Sequence, residues 1–470
     1  MTPHCAYPAG GVRGNGRAGT LGKMVTLCVA IWALLGVQAC AGHADRTLAA
    51  RSALDAGQPR AALELYNEEL DVDSEKALPE DVGGDNALLL LDRSMILQQL
   101  QEYELSSRDL EVADKQIELL DFSRSTLDSI GEYVFSDDTG PYKAPPYEKL
   151  MINTMNMVNY LARSDLNGAR IEARRLAVIQ KYLRDNESPA RAMMGPGSYL
   201  AGFTFEKSGR PDQALRYYDE ALEFGDYQSL REAVVRLSRQ SSYTSPRLKK
   251  LIEGGAVPSD EESNAKDDLG EVLAIVSYGR VPAKIAKRIP IGLALTYASG
   301  WLSPADASRA NQLALQGLVS WVNYPELGRA RGTYDNPSFA LDGSWQVLEG
   351  ALAVDREARV AYEQARGAII ASAITRMISR VVAGRVAQEA AGRDSPLGLL
   401  LNLGTQATLT ATDTPDTRSW ATLPARIAFS RVRLPPGKHQ VVLSARGYKK
   451  RQTVNIEPGG FEVLALTVLE

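Results

Sequence analysis

The sequence predicts an α+β protein in which an amino-terminal helical-repeat domain precedes a mixed domain that closes with a β-sandwich-like sheet. Three observations predict this fold class. Residues 147–224 hold two helical hairpins of one design, residues 241–268 are polar with paired glycines and a run of acids, and residues 425–470 alternate apolar and polar side chains. The expected division of the chain is residues 1–39 (leader), 40–240 (helical repeats), 241–268 (linker) and 269–470 (mixed domain, with its β module near 425–470).

The second hairpin has the spacing of a tetratricopeptide (TPR) unit, Ala201-Gly202-x2-Phe205-x8-Ala214-x3-Tyr218-x2-Ala221. The small residues at 202, 214 and 221 let two antiparallel helices approach closely, and the two aromatic side chains fill the space between them. Gly209 and Pro211 stand where one helix must end and the next begin. The pattern therefore predicts a TPR-like helical pair.

Related spacings recur elsewhere in the amino-terminal half. The first hairpin reads Tyr160-x8-Ala169-x3-Ala173, with Ser164-Asp165 in its turn. The run Gly57-x-Pro59-x2-Ala62-Leu63-x2-Tyr66 repeats the spacing of Gly209-x-Pro211-x2-Ala214-Leu215-x2-Tyr218, and residues 87–100 and 102–120 predict a further helical pair. Because the period is irregular and longer than a standard TPR unit, we expect a degenerate helical array.

Composition excludes several classes of protein. The 470 residues include three cysteines and three histidines and carry a formal net charge of −4. Cys5 and Cys28 fall in the expected leader, so the remaining cysteine can form neither an intrachain disulfide framework nor a Cys-rich zinc site. Ser-His-Asp, Cys-His and HExxH chemistry lacks the necessary side chains. We therefore expect no catalytic residues, no cofactor, no metal and no nucleic-acid partner.

The leader has a basic start followed by the apolar run Met24–Val37, which is too short for a comfortable membrane span. The run ends in Val37-Gln38-Ala39-Cys40, which resembles the lipobox of bacterial lipoproteins. The resemblance implies cleavage before Cys40, a diacylglycerol on its sulfur and an acylated amino terminus, hence a palmitate-type lipid anchor. Ala41 after the cysteine implies the periplasmic face of the outer membrane. An ordinary secretory signal, in which Cys40 is incidental, is the open alternative.

Arg170 and Arg174 lie one turn apart on a predicted helix and therefore share a face. They are a candidate anion-binding or interaction patch, and a solvated or salt-bridged face is the alternative.

The helix with Tyr147-Glu148-Lys149, the helix with Ala169-Arg170-Ile171-Glu172-Ala173-Arg174-Arg175 and the following hairpin resemble an uncharacterised family of TPR-like outer-membrane lipoproteins of Gram-negative bacteria. The genes of that family often lie beside those of small lipoproteins that activate penicillin-binding proteins, which implies a role in the cell envelope. The resemblance brings no catalytic residues.

The middle of the chain predicts a buried strand at residues 270–276, followed by a Gly-x-x-Pro-x-Lys turn that ends at Lys284. Lys284 is a candidate interaction residue, although the segment lacks the pattern of a phosphate loop. Residues 297–345 are rich in aromatics and predict mixed strand and loop, with tryptophans that either stack on a sugar or belong to the core. Residues 354–391 predict a long helix or a broken pair, either packed on the β core or lying on a membrane surface. Its spaced arginines exclude a conventional membrane span.

The carboxyl-terminal part begins with Asp416-Thr417-Arg418-Ser419-Trp420, which matches another stretch of the lipoprotein family and makes Arg418 and Trp420 candidate interaction residues. Residues 434–456 then predict a hairpin that turns at Gly447-Tyr448, and residues 461–469 one more strand. These strands resemble the second half of a PEGA-type β module, in which His439 would be structural.

Together these features predict a non-enzymatic periplasmic lipoprotein scaffold of the cell envelope, which binds a protein partner through a TPR-like groove and contacts the membrane through Cys40. One alternative is a protein that binds or hydrolyses cell-wall carbohydrate, such as peptidoglycan. Its carboxylates would be Glu148, Glu172 and Glu206, which lie on helices where exposed acids are ordinary. A second alternative is an assembly factor for a secreted polymer or surface structure.

Overall fold

Helices dominate the amino-terminal half of the chain, and most strands lie in the carboxyl-terminal half. The computed structural model describes residues 43–122, 142, 144–185, 189–253, 268–391 and 415–470, which belong to one compact unit. The leader and Cys40 lie outside the described residues. The described α-helices are α1 (His43–Arg46), α2 (Leu48–Asp55), α3 (Pro59–Glu69), α4 (Asp85–Gln99), α5 (Tyr103–Phe122), α6 (Pro146–Ala162), α7 (Leu166–Asp185), α8 (Met194–Lys207), α9 (Pro211–Phe224), α10 (Arg231–Ser238), α11 (Pro246–Glu253), α12 (Ile291–Tyr297), α13 (Pro304–Leu315) and α14 (Val354–Ala391).

The strands form two four-stranded sheets and a two-stranded ribbon. They are β1 (Gly270–Tyr278), β2 (Lys284–Pro290), β3 (Trp321–Leu327), β4 (Ser338–Leu341), β5 (Ser344–Gln346), β6 (Glu349–Ala353), β7 (Arg426–Leu434), β8 (Gly437–Ala445), β9 (Tyr448–Ile456) and β10 (Phe461–Val468). The inner sheet has the order β10-β1-β7-β6, the outer sheet has the order β5-β4-β8-β9, and β2 pairs with β3. The α+β class is therefore confirmed.

Helices α2 to α9 form four consecutive hairpins, α2–α3, α4–α5, α6–α7 and α8–α9, so the predicted helical pairs are confirmed. The two turns predicted to be equivalent have the same backbone conformation. Gly57 and Gly209 have φ angles of 71° and 68°, and the next residues, Gln58 and Arg210, have φ/ψ of −116°/67° and −121°/73°. Both turns end at a proline in the first turn of the following helix, where a missing N–H costs nothing.

Two glycines allow close helix packing within the hairpins. A Cβ added at Gly202 of α8 would lie 2.4 Å from the ring of Tyr218 in α9, and one at Gly168 of α7 would lie 2.2 Å from the ring of Tyr160 in α6. Since no real side chain tolerates such contacts, each glycine is required by the aromatic ring packed against it.

The inner sheet is the middle of three layers. On β1, Leu273 and Ile275 face the helices, whereas Val272, Ala274 and Val276 face the outer sheet. Every residue of β1 is buried, which confirms the predicted buried strand. Because both faces of the inner sheet are covered, its strands lack the polar alternation of an exposed sheet.

The carboxyl-terminal strands divide between the two sheets. The predicted hairpin is confirmed, since β8 and β9 pair in antiparallel register with Ala445 opposite Tyr448. The last strand, β10, leaves this hairpin and pairs in parallel with β1, with Glu271 opposite Phe461. The strand itself was predicted, and its partner was not.

Helix α14 packs on a separate core formed by α12, α13 and the β2–β3 ribbon. Its buried residues include Ile370, Ile374 and Ile378, so the apolar face of the helix is covered by protein. No helix in the described ranges combines the length and the hydropathy needed to cross a membrane. Residues 297–345 contain helix α13, which corrects the prediction of strand and loop. The missed signal is Ser303, whose hydroxyl accepts the N–H of Asp306 at 3.0 Å ahead of Pro304.

The predicted linker, 241–268, contains helix α11, whose Leu248 and Leu251 are buried. Residues 254–267 lie outside the described part of the chain. The helices before this segment and the inner sheet after it share one hydrophobic core, in which Leu91 of α4 and Ile275 of β1 both take part.

Candidate functional site

The inner face of the helical array is covered by the chain's own carboxyl-terminal half. Helices α4 and α8 are buried on nearly all sides, at residues 87–98 and 194–205. Strand β10 contacts α4 and α6, and Phe203 of α8 packs edge-on against Phe461 of β10 with centroids 5.7 Å apart. The expected groove along the first helices of the hairpins is therefore filled within the molecule.

One polar cluster at this junction holds three of the predicted interaction residues. We define the Trp420 cluster as Tyr142, Glu148, Lys284, Asp416, Arg418 and Trp420. The indole N–H of Trp420 donates to the carbonyl of Leu91 at 3.0 Å, and its backbone N–H donates to Glu148 Oε1 at 3.2 Å. Trp420 has no exposed surface, so it is a core residue and cannot contact an external partner directly.

Arg418 and Lys284 are also buried in this cluster. The Arg418 guanidinium donates to both oxygens of Asp416 at 2.9 Å and to Asp85 Oδ1 at 3.1 Å. Burial lowers the pKa of the Lys284 ammonium, and the carboxylates of Asp416 and Glu148 oppose that effect. The structure therefore gives Lys284, Arg418 and Trp420 structural roles in place of the predicted contacts with a partner.

Glu148 is the acidic centre of the Trp420 cluster. It is 1 % exposed and accepts hydrogen bonds from the Tyr142 hydroxyl and the Trp420 backbone. Burial raises the pKa of Glu148 to about 7, although Tyr142, Lys284 and the Trp420 N–H favour its charged form. Two residues after Trp420, the Thr422 N–H and hydroxyl both donate to Asp92 Oδ1 at 2.9 Å. The buried carboxylates of Asp92 on α4 and Glu148 on α6 therefore hold residues 420–422 against these two helices.

A second buried cluster joins α8 to the inner sheet. Arg431 of β7 donates to Glu206 of α8 at 2.6 Å and to Glu271 of β1, and it donates to the Tyr218 hydroxyl at 2.9 Å. Burial alone would raise the pKa of Glu206, but the charges of Arg431, Lys207 and Arg236 outweigh it and hold that pKa below its ordinary value. This cluster is an electrostatic junction within the fold.

Glu148 and Glu172 of the hydrolase alternative are buried, and the side chain of Glu206 is 4 % exposed, which corrects the expectation that these acids are exposed. Glu172 accepts from the Asn153 amide at 2.9 Å and from Arg175 at 3.0 Å, and burial raises its pKa to about 7. Glu148 and Glu206 belong to the two junction clusters. Each carboxylate is thus bonded to neighbouring protein groups.

The sequence prediction missed Arg431, although a signal for it exists. Arg431 has the same phase along β7 as Ile427 and Phe429, which face the helices. A charged residue in the apolar phase of a buried strand requires an internal counter-charge, and Glu206 and Glu271 provide it.

Arg170 and Arg174 lie on the outer face of α7 and belong to neither cluster. The inward face of α7 is buried through Ala169, Ala173, Leu176 and Leu183, whereas its outward face carries an apolar stripe of Ile171, Val178 and Tyr182. Val178 is 69 % exposed. These three side chains lie at positions i, i+7 and i+11 and therefore follow one side of the helix.

Basic side chains lie along one side of this stripe. Arg170 is half-buried and donates to the side-chain oxygen of Asn167 on its own helix, and Arg174 and Lys181 are exposed. Within the described ranges, no carboxylate forms an ion pair with Arg174 or Lys181. We define the α7 face as Arg170, Ile171, Arg174, Val178, Lys181 and Tyr182. It is an exposed apolar stripe with unneutralised positive charge.

No protein-family model matches the chain, and no curated protein sequence is similar to it. Among the residues that the structure describes, no group of three or more His, Cys, Asp or Glu side chains is placed to hold a metal ion.

Proposed function

We propose that this protein is a non-enzymatic lipoprotein scaffold of the bacterial envelope, anchored through Cys40 at the periplasmic face of the outer membrane, and that it binds a protein partner on the α7 face. The single observation that carries the proposal is the apolar stripe of Ile171, Val178 and Tyr182, which has exposed basic residues along one side. Large exposed apolar side chains rimmed by charge are typical of protein contact sites.

The position of this stripe supports an external partner. A TPR-like array would bind ligands along its inner face, but that face is covered by the inner sheet. The outer face of α7 presents both apolar and charged side chains at the surface. The partner that fits it is an amphipathic helix or strand with acidic flanks, which would pair with Arg170 and Arg174.

The α7 face is tested by placing a photo-crosslinking amino acid at position 178 in living cells. We expect a discrete adduct that depends on Cys40 and is lost in the double variant Arg170→Glu/Arg174→Glu. Position 360, an exposed valine on α14, is the matched control and should give no such adduct. Identical adducts from both positions, or an adduct that survives the charge reversal, would refute the α7 face as the binding site. Recovery of peptidoglycan fragments alone would favour the wall-binding alternative.

A further inference from the structure

A second exposed surface lies on the core formed by α12, α13, α14 and the β2–β3 ribbon. We define the aromatic patch as Leu293, Tyr297, Trp301, Leu315 and Trp321, all of which are exposed large apolar side chains. Leu315 is 90 % exposed, and Trp301 is 58 % exposed. A soluble protein rarely leaves so many of its largest side chains uncovered within one small unit.

These residues lie on elements that contact one another, since α12 contacts both α13 and β3. Leu293 and Tyr297 lie one turn apart on α12, and α12 begins directly after Pro290, which is paired with Trp321 across the ribbon. Trp301 packs its ring edge close to Gly367 of α14, where an added Cβ would lie 2.5 Å from the indole nitrogen. Leu315 ends α13, which contacts both α12 and α14.

Arginines cover two of the aromatic rings. The Arg366 guanidinium lies 4.5 Å from the centroid of the Tyr297 ring, and that of Arg288 lies 5.5 Å from the Trp321 ring. Arg366 also pairs with Glu363 at 3.7 Å. Arg366 is therefore already paired with an acid, whereas Arg288 is exposed over its ring, where an anion can reach it.

This unit carries a net positive charge. Residues 284–327 contain four basic and two acidic residues, and residues 354–391 of the sequence contain six arginines and four acids. The patch therefore joins exposed Trp, Tyr and Leu side chains to positive charge. Aromatic rings with Lys and Arg beside them are the side chains that favour the interface between lipid headgroups and acyl chains.

We propose that the aromatic patch binds the surface of a bilayer that contains anionic phospholipid. The rings and leucines enter the headgroup region, and the exposed Arg288 pairs with a lipid phosphate. A second copy of the chain fits less well because two identical basic patches repel each other. This inference goes beyond the proposed scaffold function, since it concerns a different surface and requires neither Cys40 nor the α7 face.

The experiment uses the chain from residue 43, which lacks Cys40 and comprises the compact unit. Flotation is measured with vesicles of phosphatidylcholine, with and without phosphatidylglycerol. We expect binding to the anionic vesicles that weakens with salt. Leu315→Glu should lower the partition coefficient by about 10-fold or more, and Arg288→Ser should lower it by about 5-fold.

The matched control is Val347→Glu, because Val347 is 80 % exposed and lies just beyond β5, in a different part of the fold. This variant should bind vesicles within about 2-fold of the wild type, as expected for a surface change outside the contact. Absence of flotation, equal losses in Leu315→Glu and Val347→Glu, or equal binding to neutral vesicles would overturn the proposal. So would self-association in the absence of lipid that Leu315→Glu abolishes. Failure of the α7 crosslink would leave all these outcomes unchanged.

Discussion

Arg431 of β7 and Glu206 of α8 form a buried ion pair of 2.6 Å, although 225 positions separate them in the sequence. Glu271 of β1 shares the same guanidinium, and Lys207 pairs with Glu271 beside it. The helical layer and the inner sheet are thus joined by charges as well as by apolar packing. A pair of this kind adds little stability over an apolar pair, but it is strongly destabilising when one member is removed.

Replacement of Arg431 therefore provides a direct measurement of the junction. Arg431→Met should lower the free energy of unfolding in urea by about 3–5 kcal/mol, because it leaves Glu206 and Glu271 buried without their main counter-charge. Arg433→Met is the control, since Arg433 pairs with the half-exposed Glu232 at 3.0 Å. It should cost no more than about 1 kcal/mol. Equal losses in the two variants would show that the buried pair has no special part in stability.

Trp420 should contribute strongly to the stability of the fold. Trp420→Ala removes a fully buried indole and its hydrogen bond to Leu91, so the free energy of unfolding should fall by about 3–5 kcal/mol. Trp345→Ala is the matched change, because Trp345 is 74 % exposed on the short strand β5. It should stay within about 0.5 kcal/mol of the wild type. A small effect of Trp420→Ala would contradict the placement of residues 416–422 in the core.

The raised pKa of Glu148 predicts that the protein loses stability as the pH rises. This pKa is raised by burial from 4.5 to about 7, so the neutral acid is the form that folding favours. The neutral carboxyl of Glu148 contributes up to ~3 kcal/mol to the free energy of unfolding. This contribution is fully present below pH 4.5 and is lost as the pH rises through about 7. Urea unfolding followed between about pH 5 and 8 should show this decline.

Glu148→Gln is the corresponding control because glutamine stays neutral over the same range. Its stability should depend less on pH than that of the wild type. Glu172, whose pKa burial also raises to about 7, should keep a residual slope in that variant, and Glu172→Gln should remove it. Parallel curves for wild type and Glu148→Gln would contradict the assignment.

The close packing at Gly202 can be tested by adding a single methyl group. Gly202→Ala places a Cβ against the Tyr218 ring and should destabilise the protein by about 1–3 kcal/mol through overpacking. Gly292 of α12 has open space at the same position and an ordinary φ. Gly292→Ala should leave stability unchanged or raise it by up to about 1 kcal/mol. Thermal unfolding of both variants distinguishes the two environments.

The helical hairpins were predictable because their determinants are local. The glycine and proline of each turn, and the small residues opposite an aromatic ring, lie within about 20 positions of one another, where sequence spacing translates directly into geometry. The pairing of β10 with β1 was not predictable. Alternation identifies a strand and its two faces, but it does not specify which distant strand becomes its neighbour.

The difference between local and distant determinants also explains which features of the candidate sites could be predicted. Arg170 and Arg174 share a face of α7 because their spacing on one helix determines it. Glu148 was expected on the surface, yet its partners Tyr142 and Trp420 reach it from a neighbouring loop and from 272 positions away. Burial of a charged residue depends on such remote partners, which composition and periodicity do not reveal.

The three-layer arrangement also determines the order in which the protein can mature. Helices α4, α6 and α8 are synthesised well before β7 and β10. The strands that cover their apolar inner face are therefore missing while the intervening residues emerge, 218 between α8 and β7 and 326 between α4 and β7, as is general for folds with distant contacts. During this interval the nascent helical layer exposes its apolar inner face. Surfaces of this kind bind chaperones and promote aggregation. The core of the early helices is therefore completed by strands that are synthesised last.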